Sequence, residues 1–228
     1  MDVMTISLAE RAELQAAVRD LLTDECTEQD VRRVMAGDDG FDRELWAKLA
    51  AQGVTGLLVE SEFGGVGLGA PELEAVAEET GAALLPAPFL ASAVLAVAAI
   101  QAAGTPQDKQ RLLPGLADGT AIGTVALTGR RGTWTPDGVD VVANADGTLS
   151  GSAHYVLGGQ VADVILVAAR TAVSACSRSE PTPPGSPERL QQFSTRRYGC
   201  RCSRSPRRPR SASAPRAGRR PRRHSTSR

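Results

Sequence analysis

LWAKLAAQGVTGLLVESEFGGVGLGAPELEAVAEETGAALLPAPFLAS, residues 45–92, decides the fold because three kinds of segment follow one another in it without a break. Leu45, Trp46, Leu49 and Ala50 recur at helical spacing behind Asp42, a competent cap, and Gly53 ends that helix. Thr55 to Glu60 is a short apolar, strand-like run, and Gly64, Gly65, Gly67 and Gly69 make a loop after it. Pro71 takes a first-turn position ahead of the helical ELEAVAEETGAALL.

The flanks extend the helical pattern. Ser7 to Glu10 reads S-L-A-E, a capping box, and Leu8, Leu14, Ala17, Val18, Leu21 and Leu22 predict a helix over 8–23. FLASAVLAVAAI, residues 89–100, is a dozen mostly apolar residues. A spanning helix needs about 20, so this reads as a helix buried in a bundle and ended by Gly104. Thr105-Pro106 opens a further helix that Pro114 should interrupt or kink. Five or six helices therefore fill residues 1–118.

After Gly119 the period becomes extended. Ala121 to Leu127, Val139 to Asn144, Thr148 to Leu157 and Val161 to Ala168 are β-branched or alternating runs, with Asp146-Gly147 a good hairpin turn. The expected fold class is α+β: an all-helical N-terminal domain over 1–118 and an incomplete antiparallel β-barrel-like domain over 119–170. Residues 171–228 read as a disordered basic tail.

Charge separates that last part from the rest. Residues 171–228 hold 15 Arg, no Lys and two acids, whereas residues 1–170 hold 11 basic residues and 24 acids, so the formal net charge of zero is a cancellation. With 11 Ser, 8 Pro and only Val173, Leu190 and Phe193 as large apolar anchors, the tail lacks the apolar surface to offset its chain entropy. Cys176, Cys200 and Cys202 lie in it, so only Cys26 belongs to the folded part and the four cysteines are no disulfide framework. The N-terminus has neither a basic region nor a long apolar stretch, which makes a cytoplasmic protein the expectation.

Single motifs are weak here. Gly64 to Gly69 spell G-G-x-G-x-G, not the G-x-G-x-x-G of a dinucleotide loop, and glycines that serve backbone turns are the commoner case. His154 and His224 have no partners at metal-ligand spacing, and no Ser/His/Asp set, CxxC pair or paired-carboxylate signature occurs. No catalytic residue and no metal ligand is therefore assigned.

The order of segments is more specific. Residues 45–92 resemble the N-terminal helical domain of the acyl-CoA dehydrogenase family. LLPGLADGTAIGTVALTG (112–129) resembles that family's passage into its β domain, and LSGSAHYVLGGQVADVILVAAR (149–170) resembles its middle hairpin. The resemblance implies a flavoprotein using FAD for α,β-dehydrogenation of an acyl-CoA thioester in fatty-acid or related lipid catabolism. A glutamate takes the α proton and the flavin accepts the β hydride. It further implies that Ala126, Leu127 and Thr128 lie on the strand meeting the flavin's pyrimidine edge, with Tyr155, Val156 and Leu157 beside the ring system.

This chain departs from the family at both places. Family members usually continue the first strand with Glu-Pro and a Gly-Ser pair, where Gly129, Arg130, Arg131, Gly132 and Thr133 stand here. Leu157 lacks the hydroxyl that many members offer the flavin; ordinary strand packing is the alternative role for Tyr155. The family's C-terminal helical domain, which carries the catalytic glutamate, has no counterpart in 171–228, whose Arg, Pro, Ser and Ala bias suits a shifted reading frame. The expectation is a truncated chain, inactive alone, that binds acyl-CoA in a homo- or hetero-oligomer with a full-length subunit. The alternative is a non-enzymatic helical scaffold whose Arg-rich arm binds nucleic acid, the less favoured partner.

Overall fold

The structure, a computed structural model, describes residues 6–37 and 40–171. Helix α1 (Leu8–Glu25) starts at the Ser7/Glu10 capping box, with the Glu10 amide donating to Ser7 Oγ and the Ser7 amide to Glu10 Oε2. The same device begins α2 (Glu28–Ala36) at Thr27 and Asp30, a helix the apolar spacing does not announce. Asp42 caps α3 (Arg43–Ala51) as expected, and its Oδ1 accepts from the Glu44 and Leu45 amides. Helix α4 (Ala70–Ala82) carries Pro71 in its first turn. A π-helical segment, Leu90–Ala96, runs without a break into α5 (Val97–Ala103), and α6 (Pro106–Ala117) follows.

Two apolar clusters hold these helices. In one, Val18 and Leu22 of α1 pack with Leu45, Trp46 and Leu49 of α3 and Val76 of α4. In the other, Val97, Ile100, Leu113 and Leu116 close over Val125 and Leu166, so the helices and the first strands share a core.

The run 55–60 is not a strand. Gly56 N–H donates to Gly53 O and Val59 N–H to Gly56 O, so the chain winds through turns, and the Thr55 hydroxyl is held by Ala117 O at 2.6 Å. Val54, Leu57 and Val59 are all buried, and this burial in several directions is what a flat strand cannot deliver. The glycine loop folds back on it: Val66 N–H reaches Gly56 O, Gly67 N–H reaches Val59 O and Leu68 N–H reaches Leu57 O. Pro114 does not interrupt α6 either. It stands in the last turn, where one amide is lost, and its carbonyl still accepts from Asp118.

The strands are shorter than the sequence pattern suggests, and their pairing is mixed. β1 (Gly123–Ala126) pairs in parallel with β4 (Val164–Val167). β2 (Val142–Ala143) pairs antiparallel with β3 (Leu149–Ser150) across the expected Asp146-Gly147 turn, and in parallel with β5 (Arg170–Thr171). The expected long strand over 148–157 survives as β3 and one antiparallel bridge between Thr128 and His154. Gly151 at φ 127° and Tyr155 at φ 57° break the extended path between and beyond them. Among the described residues the strands thus form one two-stranded and one three-stranded sheet, and a barrel is not defined. The disordered-tail reading of 171–228 lies outside the described residues apart from Thr171 in β5.

Two predictions follow from packing and charge. A Cβ on Gly65 would lie 2.1 Å from Val59 O, so Gly65→Ala is expected to cost roughly 3 kcal/mol. Gly64 has open space but φ 83°, so Gly64→Ala costs only about 1 kcal/mol; urea midpoints of the two variants test the order. Glu79 accepts hydrogen bonds from Arg19 and Gln15, and the Arg19 guanidinium holds its carboxyl below the ordinary carboxylate range. That stabilisation is complete above the unfolded value of about 4.3 and fades as pH falls through the lower folded one. Glu79→Gln is therefore expected to lose less stability between neutral pH and pH ~3 than the parent chain in the same denaturation assay.

Candidate functional site

All four residues of β1 are buried, and the chain continues through half-buried Leu127 to buried Thr128. Two threonines four residues apart fix a second segment beside it. The Thr124 hydroxyl donates to Leu157 O at 2.6 Å, and the Thr128 hydroxyl donates to His154 O at 2.6 Å. The His154 amide returns a bond to Thr128 O at 2.8 Å. Residues 154–157 are thereby pinned at both ends, with Tyr155 between the pins in a left-handed conformation.

A cleft lies between these segments, lined by Leu95, Val125, Leu127, Thr128, Trp134, Tyr155 and Leu157, with about 240 Å³ of open space. That space opens to solvent, so this is a shallow cleft and not an enclosed pocket. Three of its large side chains are exposed: the aromatic Tyr155 at 73% and Trp134 at 67%, and the aliphatic Leu157 at 45%. Thr128, 5% exposed, has its hydroxyl proton engaged by His154 O, which leaves the oxygen free to accept from a ligand N–H.

Four of the six residues expected at a ligand, Leu127, Thr128, Tyr155 and Leu157, meet at this cleft. Ala126 is buried in β1, where its carbonyl accepts from the Ala168 amide, and it is not part of the lining. Val156 is half-buried, with its Cγ1 next to Gly159, and is not part of the lining. Leu95, Val125 and Trp134 complete the cleft without having been expected there. Alternation along β1 would have marked Val125, and a lone Trp in a polar turn would have marked Trp134. Leu95 gives no such signal, because the π-helical segment shifts the face it presents.

The turn 129–134 borders the cleft. Its backbone is held by Gly129 N–H to Gly138 O and Arg130 N–H to Asp140 Oδ2, both at 2.7 Å. A Cβ on Gly132 would come 3.1 Å from Tyr155 Cε2, so the turn passes directly beside the tyrosine ring. Asp137, which receives the Arg131 guanidinium, is held below the ordinary carboxylate range first by the Thr135 hydroxyl. No carboxylate lines the cleft among the described residues, and no group of three His, Cys, Asp or Glu there is placed to hold a metal ion.

Residues 9–120 match the N-terminal domain of acyl-CoA dehydrogenases. Acyl-CoA dehydrogenase FadE27 of Mycobacterium tuberculosis is 34% identical over 172 residues, which cover 75% of this chain and 45% of the relative. The solved ChsE4-ChsE5 complex from Mycobacterium tuberculosis superposes with a TM-score of 0.65 at 33% identity, over 75% of this chain and 46% of that one. A glutaryl-CoA dehydrogenase from Mycobacterium smegmatis, solved with FADH2, shares the fold at TM-score 0.65 and 24% identity, over 73% and 44% of the two chains. The chain belongs to the acyl-CoA dehydrogenase family, and it spans under half the length of these relatives. No helix among the described residues is long and apolar enough to cross a membrane.

The Thr128 hydroxyl holds the wall together, which gives a test. Thr128→Val keeps the shape but leaves His154 O without its donor, and is expected to cost about 1–2 kcal/mol; Thr128→Ser restores it. Thermal denaturation of the three proteins, with amide exchange at His154, separates loss of the pin from general destabilisation.

Proposed function

We propose that this chain supplies one wall of an acyl-CoA dehydrogenase-type site, in which FAD lies against Leu127, Thr128, Tyr155 and Leu157. The observation that carries the reading is the convergence of strand β1 and the 154–157 segment on one cleft through the two threonine pins. The residues fit a flavin in character. Thr128 Oγ1 can accept from a ring N–H, and the exposed aromatic and aliphatic surface suits a flat ring. Bound there, the flavin would serve as the hydride acceptor. The chain's own part is to orient the ring and keep water from one of its faces.

The wall has no group to take a proton from an acyl thioester, since no carboxylate lines it among the described residues. We infer that α,β-dehydrogenation of an acyl-CoA requires a glutamate from outside 6–171, supplied within a homo- or hetero-oligomer that includes a full-length subunit. The helical portion, 1–118, and the β portion, 119–170, act in this reading as separate domains meeting at β1. A role in lipid degradation in the cytoplasm follows from the same assignment.

The test uses the 228-residue chain itself. With FAD, a set of acyl-CoA substrates and an artificial electron acceptor, no enoyl-CoA product is expected, whereas flavin fluorescence should be quenched on binding. Dehydrogenation by the purified chain would refute the shared-site reading. Absence of any flavin binding would refute the cofactor assignment.

A further inference from the structure

The two strands of the first sheet are unequally covered. All of β1 is buried, whereas in β4 only Leu166 is, and Val164, Ile165 and Val167 are half-buried. The ladder decides which backbone groups are left over. Val164 N–H reaches Ile122 O at 3.1 Å and Ala168 N–H reaches Ala126 O at 3.0 Å, so residues 164, 166 and 168 face β1. The alternate residues of an extended strand turn their amides and carbonyls to the other side, and here these are Ile165 and Val167. Neither has a hydrogen-bond partner on that side among the described residues. On the far side of β1, by contrast, the Gly123 amide is taken by the Ser92 hydroxyl at 3.0 Å. The open edge of this sheet is therefore β4, an apolar run rich in β-branched residues.

An unpaired strand edge takes up another extended backbone, and the spacing of the free groups selects which one fits. Ile165 and Val167 flank Leu166 symmetrically, so a two-fold axis beside Leu166 sets Ile165 opposite Val167 of a second copy and Val167 opposite its Ile165. Each pair then exchanges both N–H···O bonds of an antiparallel ladder, and no bond to β1 is disturbed. Charge favours the same orientation. Asp163 and Arg170 flank β4, both are exposed, and neither forms an ion pair among the described residues. Antiparallel pairing brings each Asp163 to the end that carries the second copy's Arg170, whereas parallel pairing would set like charges side by side. We propose that β4 is an interface between two copies of this chain, which join edge to edge into one sheet in the order β1-β4-β4-β1. The assembly closes at two copies, because each spends its open edge once. No residue of β4 lines the cleft, so this interface and the flavin reading stand or fall separately.

Sedimentation and amide exchange on the 228-residue chain test the interface. A monomer–dimer equilibrium is expected, with exchange at Ile165 and Val167 slowing at least about ten-fold between ~1 and ~100 µM protein while Val164 stays protected throughout. Val167→Pro removes an outward amide that the β1 ladder does not use, and is expected to give a monomer with fast exchange at Ile165. Ile165→Lys, which puts a charge on the edge, is the second variant and is expected to do the same. Urea midpoints confirm that both variants are folded, and the parent's own exchange profile decides the outcome if either is not. A monomer at the higher concentration overturns the proposal in two distinguishable ways. Fast exchange at both amides then means that nothing takes the edge, and slow exchange means that residues 172–228 of the same chain do. Association that leaves both amides fast belongs to another surface, such as basic 171–228 on acidic 1–170, and overturns it as well. Growth beyond a dimer overturns the two-fold pairing.

Discussion

The close approach of β1 to the π-helical segment is the constraint on which the cleft depends. A Cβ on Gly123 would lie 2.7 Å from Ala96 Cβ and 3.1 Å from Leu116, so the strand starts where no side chain fits. Its amide donates to the Ser92 hydroxyl at 3.0 Å, deep in the protein, which fixes the depth of the strand as well as its distance. Ile122, one residue earlier, is buried in the helical core, and Val125, two residues later, in the core shared with α5 and α6. The direction of β1, and hence the place where Leu127 and Thr128 meet Leu95 at the cleft, is set by that contact.

Helix starts were legible because capping is local chemistry. Ser7 with Glu10, Asp42, Pro71 and Thr105 with Pro106 are each readable within four residues, and each begins a helix. Helix α2 uses the same chemistry with Asp30 in place of glutamate, and its Val31 and Val34 are too few to reveal a periodic face. The run 55–60 differs from its strand-like pattern for the opposite reason. Its apolar content is real, yet it is spent on burial in several directions around the Thr55–Ala117 contact, a partner 62 residues away. Strand pairing was the least legible feature: nothing in residues 121–127 or 161–168 says that β1 meets β4 in parallel, because the partner is chosen by the long path between them.

The site was legible in part and by a different route. Leu127, Thr128, Tyr155 and Leu157 came from the order of segments in a family pattern and converge in space, while Ala126 and Val156, adjacent to them in sequence, do not line the cleft. Ala126 lies within the buried strand and Val156 packs beside Gly159, so each triplet taken whole includes a residue that the cleft does not touch. Leu95 was invisible because it reaches the cleft from a π-helical turn with no ligand signature, whereas Trp134, a lone tryptophan in a polar turn, carried a signal that the family pattern did not use.

In the proposed flavin site Tyr155 is the residue whose backbone carries the strain. An aromatic residue at φ 57° pays about 1–2 kcal/mol in backbone strain, and at 73% exposure it recovers little of that by burial. Ordinary strand packing, the alternative for this residue, would put the ring against its neighbours and relax the backbone into the extended region. The structure does neither. His154 and Leu157 are clamped by Thr128 and Thr124 on either side, and Gly132 leaves room beside the ring, so the strained conformation is imposed by hydrogen bonds that lie outside it. Under the proposed function, strain maintained by surrounding structure at an exposed aromatic side chain pre-positions the contact surface offered to the flavin.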